Sequence, residues 1–190
     1  MANTTKKQKK QPMGRESKIA LLVLLIAVVV VLGVRMWRAG DAEQSVADLA
    51  AALEAAIPAQ GSTVEIDGHS CAALLEPISL EIKLPVLTAY SDEAIRTAPA
   101  IYAGTVGQPG LVIGGGSSAA QFGLLTELFY GDLVWLTATD GTVYEYEMDD
   151  LVLQNTADPA KLDTGDWDLA LFTQHKKGEY MVAGFYLTGN

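Results

Sequence analysis

Residues 19 to 34, "IALLVLLIAVVVVLGV", run for sixteen positions without a polar side chain and divide the chain into two parts that face different surroundings. The run is slightly short of the ~20 residues that span hydrocarbon. Lys18, Arg35 and Arg38 can snorkel from its ends, however, and Trp37 suits the interface. It is therefore read as a transmembrane helix within an anchor at 18–38. A cleaved signal peptide is the competing reading, since a charged start and an apolar centre fit one. A cut near Ala39 or Gly40 would then leave Met36, Trp37 or Arg38 in a pocket that takes small residues. A buried helix of a soluble protein fits less well, because β-branched residues dominate and there is no polar face.

Charge supports this division. Residues 1–40 carry eight Lys or Arg against one Glu, and residues 41–190 carry five against twenty-two Asp or Glu. Six of the eight basic residues precede the span, so the positive-inside bias places the N-terminus in the cytoplasm and residues 39–190 outside, as a single-pass membrane protein. The tail 1–17 is too polar to fold, and its expected role is topogenic. A formal charge of minus seventeen on the outer part argues against nucleic acid as a partner. Cys71 is the only cysteine, which rules out an intramolecular disulfide and fits a bacterial cell surface.

Beyond the span, Val46, Leu49, Leu53 and Ile57 recur at steps of three and four, with Asp41 as N-cap and Pro58 as stop. This predicts a juxtamembrane amphipathic helix within 39–60. From residue 61 the period shortens. "STVEI", "CAALLEP", "LEIKLPVL", "GLVIG", "LVWLTAT", "TVYEYEM" and "DLALFT" are short β-prone runs separated by Gly, Pro and Asp. Asp140-Gly141 reads as a type I′ hairpin turn, with Tyr144, Tyr146 and Met148 on one strand face and Glu145 and Glu147 on the other. Gly178 marks a second hairpin leading into "YMVAGFYL", and Ser118 with Gln121 reads as the capping box of a helical interlude. Residues 61–190 are thus expected to form one mainly β domain, a barrel or sandwich of about seven or eight strands with short helices.

The search for chemistry is mostly exclusion. "IGGGSS" lacks the Lys and spacing of a phosphate loop and reads as a loop. His69 and Cys71 share a strand face, but a small buried cysteine is the default reading of the pair. Two histidines and one cysteine do not make a structural zinc site, and no cofactor is implied. Glu145, Glu147, Asp149 and Asp150 lack EF-hand spacing and read as a solvated face rather than a calcium site. His175 can pair with Ser117 or Ser118, which leaves a relocated nucleophilic site open.

Several stretches, from His69 to Val182, resemble the sortases, the membrane-anchored cysteine transpeptidases of Gram-positive bacteria, and particularly their clostridial-type members of class B or D. "LLEPISLEIKLPV" resembles the opening strands, "APAIYAGTVGQPGLVIGGG" the segment leading to the catalytic histidine, "FGLLTELFYGDLVWL" the helix and strand after it, and "GDWDLALFTQ" the strand that ends on the catalytic cysteine. The resemblance implies a closed sortase-like β-barrel. It also implies cleavage of an LPxTG-type sorting signal by a Cys nucleophile with a His and an Arg. At the matching positions this chain has Gly116 for the His, Gln174 for the Cys, and Met181 or, with a small shift, Glu179 for the Arg. Realignment cannot restore them, because no Arg follows Arg96 and no Cys follows Cys71.

Without a thiolate no thioester forms, and without His or Arg there is no donor for an oxyanion or a leaving amine. The expectation is a degenerate member, a pseudo-sortase that binds, scaffolds or regulates. Its expected partners are a sorting-signal peptide, a surface or pilus protein, or an active sortase, with Ser117, Thr173 and His175 as possible groove lining. The alternative is a hydrolase or transpeptidase with a relocated site using Ser117 or Ser118 and His175.

Overall fold

The computed structural model describes residues 28–29, 44–59 and 61–189. The expected span, except for Val28 and Val29, the basic tail and the Asp41 cap lie outside the described residues. No helix among the described residues is long and apolar enough to cross a membrane.

Helix α1, residues 44–56, buries the predicted stripe: Val46, Leu49 and Leu53 are 4%, 5% and 0% exposed. Leu49, Ala50 and Leu53 pack with Cys71, Leu74 and Leu87, which fixes the helix against the β-domain. Each fully buried side chain of this size contributes roughly 1.5–3 kcal/mol, so tertiary packing rather than propensity holds so short a helix.

The strands are β1 (Val64–Ile66), β2 (His69–Pro77), β3 (Leu84–Leu87), β4 (Ala100–Ala103), β5 (Leu111–Gly115), β6 (Leu133–Ala138), β7 (Val143–Asn155), β8 (Leu169–Lys176) and β9 (Glu179–Gly189). They run side by side in the order β2-β3-β4-β5-β8-β9-β7-β6, and β6 returns to pair with β2 through Ala73↔Ala138 to Pro77↔Val134. The result is a closed barrel of eight strands, with β1 added beside β2. β5 and β8 are parallel, with Gly114 beside Phe172 and Gly115 beside Thr173. Ile113, Leu136, Tyr146, Leu171 and Phe185 belong to the main core. Ala170, Phe172 and Val182 belong to a second cluster on the alternate face. β8 is therefore apolar on both faces, which explains why "LALF" shows no alternation.

Several expectations are corrected. "LEIKLPVL" is a strand only over Leu84–Leu87: a 3₁₀ turn at Ile78–Leu80 and a left-handed Glu81 precede it, while Leu80 and Ile82 reach the core from that turn and so mimic strand alternation. β4 carries no clear strand signal, being only four residues long and entered directly from Pro99. The Asp140-Gly141 turn is not type I′, since only Gly141 has positive φ. The Gly141 N–H donates to the Ala138 carbonyl at 2.9 Å, giving a tight turn that ends in a left-handed glycine. Gly178 is likewise left-handed, as its hairpin requires. The capping box does not form. Phe122–Glu127 is a 3₁₀ helix without a side-chain cap, because the Gln121 carboxamide is used elsewhere.

Candidate functional site

β8 carries its regular pairing past the buried Phe172 and Thr173 to Gln174, which is exposed and lies opposite Tyr180 of β9. The two positions that the resemblance leads one to expect for a Cys and a His meet here. Gln174 and Gly116 line one groove of about 500 Å³, together with Tyr90, Arg96, Ser117, Ser118, Gln121 and Tyr180. Neither Cys nor His is among its lining residues.

The glycine run is a packed strand end rather than a loop. A Cβ on Gly114 would come within 2.5 Å of the Tyr90 ring and 2.6 Å of the Phe172 ring, and one on Gly115 within 2.5 Å of the Phe122 ring. Glycine is what lets aromatic rings lie directly on the backbone from both faces. At Gly116 a Cβ would sit 2.9 Å from the Ile95 carbonyl oxygen. That space is closed by Gln121, only 3% exposed. Its Oε1 accepts from the Gly116 N–H at 2.8 Å, and its Nε2 donates to the Ile95 carbonyl at 3.1 Å. Gln121 thus staples the end of β5 to the short helix α2, Ala94–Thr97.

Tyr90, Phe172 and Tyr180 line the groove and belong, with Tyr102 behind them, to one aromatic cluster. Tyr90, Tyr102 and Phe172 meet with centroids 5.1–5.7 Å apart, and Tyr180 stands 6.0 Å from Phe172. Burial, with Asp92 as a further cause, raises the phenol pKa of both Tyr90 and Tyr180, so they act as neutral donors and acceptors. Arg96 projects from α2 and is exposed. Its guanidinium makes no ion pair or hydrogen bond among the described residues, although Asp92 also lines the groove. Arg96, Tyr90 and Tyr180 carry no motif along the chain, and Gln121 reads there only as a cap; the four converge through the pairing of β4 with β5, β5 with β8 and β8 with β9.

Ser117, Thr173, Gln174, His175 and Met181 line a second, smaller cleft of about 160 Å³. Thr173 is buried there, its hydroxyl donating to the Gly115 carbonyl at 2.9 Å. His175 is exposed at an irregularity in the β8–β9 register and lines this cleft but not the larger groove. Ser118 lies in the larger groove, and no hydrogen bond joins either serine to His175 among the described residues. Met181 pairs with Thr173, while Glu179 pairs with Lys176 and makes a 3.7 Å ion pair with it. Neither stands in the larger groove, where β9 contributes Tyr180.

The remaining candidates lie elsewhere. Cys71 is fully buried beneath α1, its Sγ 3.8 Å from the His69 carbonyl oxygen, and burial, with Glu65 adding to it, pushes the thiol from 9.0 up to about 11. Such a thiol is a poor nucleophile at neutral pH. Glu145 and Asp149 accept hydrogen bonds from Trp135 and Trp167, and no group of three or more His, Cys, Asp or Glu able to hold a metal occurs among the described residues.

No protein-family profile matches the chain, and no curated protein matches it. The solved structures that match are sortases. Sortase A from Corynebacterium diphtheriae aligns with a TM-score of 0.55 and 18% identity, over 64% of this chain and 62% of that one, so this chain covers less than two thirds of it. Sortase C-1 from Actinomyces oris aligns at 0.54 and 16%, covering 63% and 75%. Sortase C-3 from Streptococcus pneumoniae aligns at 0.54 and 17%, covering 79% and 85%. At these identities the likeness concerns the backbone, and with the eight-stranded closure it shows that this chain has the sortase fold.

Proposed function

We propose that this is a membrane-tethered, extracellular pseudo-sortase, inactive in transpeptidation, which uses the groove around Gln174 to bind an extended peptide from a sorting signal, a surface or pilus protein, or an active sortase. The observation that carries this reading is a groove of about 500 Å³ in a sortase fold with no thiol or imidazole along it. Three features support it. A carboxamide at Gln174 forms no thioester. The only cysteine is buried with a raised pKa. Gly116 is held where a side chain would collide with the Ile95 carbonyl. What the groove retains suits binding: Gln174, Ser117 and Ser118 offer hydrogen bonds to a peptide backbone, and Arg96 offers a guanidinium that is unpaired among the described residues.

The test is calorimetric titration of an LPxTG-type peptide, with peptide cleavage followed in parallel. Saturable binding that Gln174→Trp abolishes, without cleavage, is the expected result. Cleavage that survives thiol alkylation and purification from other transpeptidases would overturn the inactive reading.

The second reading, a hydrolase using Ser117 or Ser118 with His175, draws on the cleft that Ser117 and His175 share. Fluorophosphonate labelling of either serine, lost in His175→Ala, would favour it, and absence of labelling would remove it.

A further inference from the structure

β7 is the longest strand of the barrel, and its partners are unequal. On one side β9 pairs with it as far as Asn155↔Glu179. On the other side β6 pairs only from Thr137↔Val143 to Leu133↔Glu147, and the last backbone hydrogen bonds across to β7 are those of Met148 with Gly131 and Asp132. Beyond Met148, among the described residues, no strand covers the second edge as far as Asn155. One backbone donor there, the Leu151 N–H, is taken at 2.8 Å by the neighbouring Asp150 side chain. Leu153 is 45% exposed. Open edges are usually protected by Lys, Pro or bulges. The stretch 151–155 contains no Lys or Pro, and the nearest register shift lies before it, at Met148/Asp150.

The sequence of this edge, "DDLVLQN" from Asp149 to Asn155, is nearly symmetric about Val152. If a second copy is laid antiparallel with Val152 opposite Val152, Leu151 meets Leu153, Asp150 meets Gln154, and Asp149 meets Asn155. The apolar residues meet at the centre, and each aspartate faces a neutral carboxamide residue rather than another acid. Gln154 keeps its carboxamide on the Asp163 backbone, donating at 2.6 Å and accepting at 2.8 Å, so the ends favour this register by avoiding like charges and not by new hydrogen bonds. In a domain of formal charge minus seventeen, this register avoids like-charge opposition. We infer that the free edge of β7 is a homodimer contact, in which two copies pair about Val152 and join their barrels through one continuous sheet. This dimer is independent of what the Gln174 groove binds.

The register can be tested by cysteine crosslinking. Directly opposed residues in an antiparallel pair have Cα atoms ~4.5–5.5 Å apart, inside the ~4.4–6.8 Å window of a disulfide. In the full chain purified in detergent, with Cys71 buried and retained, copper phenanthroline should oxidise Val152→Cys to a disulfide dimer at least about tenfold faster than Lys177→Cys on the exposed hairpin tip. Leu153→Cys alone should crosslink poorly, because its copies would lie roughly 8 Å apart along the paired strands. A mixture of Leu151→Cys and Leu153→Cys should give the heterodimer. Leu153→Lys should be monomeric by sedimentation with an unchanged melting temperature. Equal rates at 152, 153 and 177, a wild-type monomer, or a dimer that survives Leu153→Lys would each overturn the proposal.

Discussion

Replacing Gln121 by Ala tests whether one buried carboxamide holds the groove wall in place. The side chain is 3% exposed and satisfies two backbone groups, the Gly116 N–H and the Ile95 carbonyl. Leaving a buried donor or acceptor without a partner costs about 1–3 kcal/mol. Two such groups near a groove that admits water should together cost about 3 kcal/mol, or roughly 6–12 °C in melting temperature for a domain of this size. Gln121→Glu sharpens the test. Its ionised form still accepts from Gly116 but places a carboxylate against the Ile95 carbonyl, whereas its protonated form can donate there. The folded-state pKa of that Glu should therefore lie above the ordinary ~4.3, so stability should be greatest below that value and decline as pH rises through the raised one. Thermal melts from pH 4 to 8, with hydrogen exchange at Gly116 and across α2, read both effects. Melting of Gln121→Ala within 1 °C of wild type, or a Gln121→Glu profile parallel to wild type, would refute the staple.

Cys71 should resist iodoacetamide in the native state and react on unfolding. Because burial raises its pKa from 9.0 to about 11, folding favours the neutral thiol, and this group should cost the domain up to about 3 kcal/mol as pH climbs from 9 through 11, a part of the alkaline slope that Cys71→Ala removes. Gln174→Cys should place an alkylatable thiol in the groove yet give no transpeptidation. Adding Gly116→His should fail to rescue it and should lower stability by about 1–3 kcal/mol, since the new Cβ meets the Ile95 carbonyl; turnover by the double variant would contradict this. Arg96→Ala should weaken binding of a peptide carrying a carboxylate beside its groove-binding segment by about three- to tenfold in titration, and leave melting unchanged, because the Arg96 guanidinium has no partner among the described residues.

The chain itself determined the α1 stripe, most of the strands, the Gly178 hairpin and the buried cysteine, because these follow from local periodicity and residue chemistry. Counting alone excluded a thiol or a guanidinium anywhere from residue 97 onward. Tertiary structure decided what those absences leave behind. "IGGGSS" reads as a loop until Tyr90, Phe172 and Phe122 are seen lying on it, and Gln121 reads as a helix cap until its amide is found bridging Gly116 and Ile95. Tyr180 rather than Met181 or Glu179 faces the groove beside Gln174, because pairing across β8 and β9, with an irregularity after Gln174, sets which β9 side chain lies opposite. Such contacts join residues tens of positions apart. They arise from strand register and barrel closure, and neither leaves a periodic trace in the order of the amino acids.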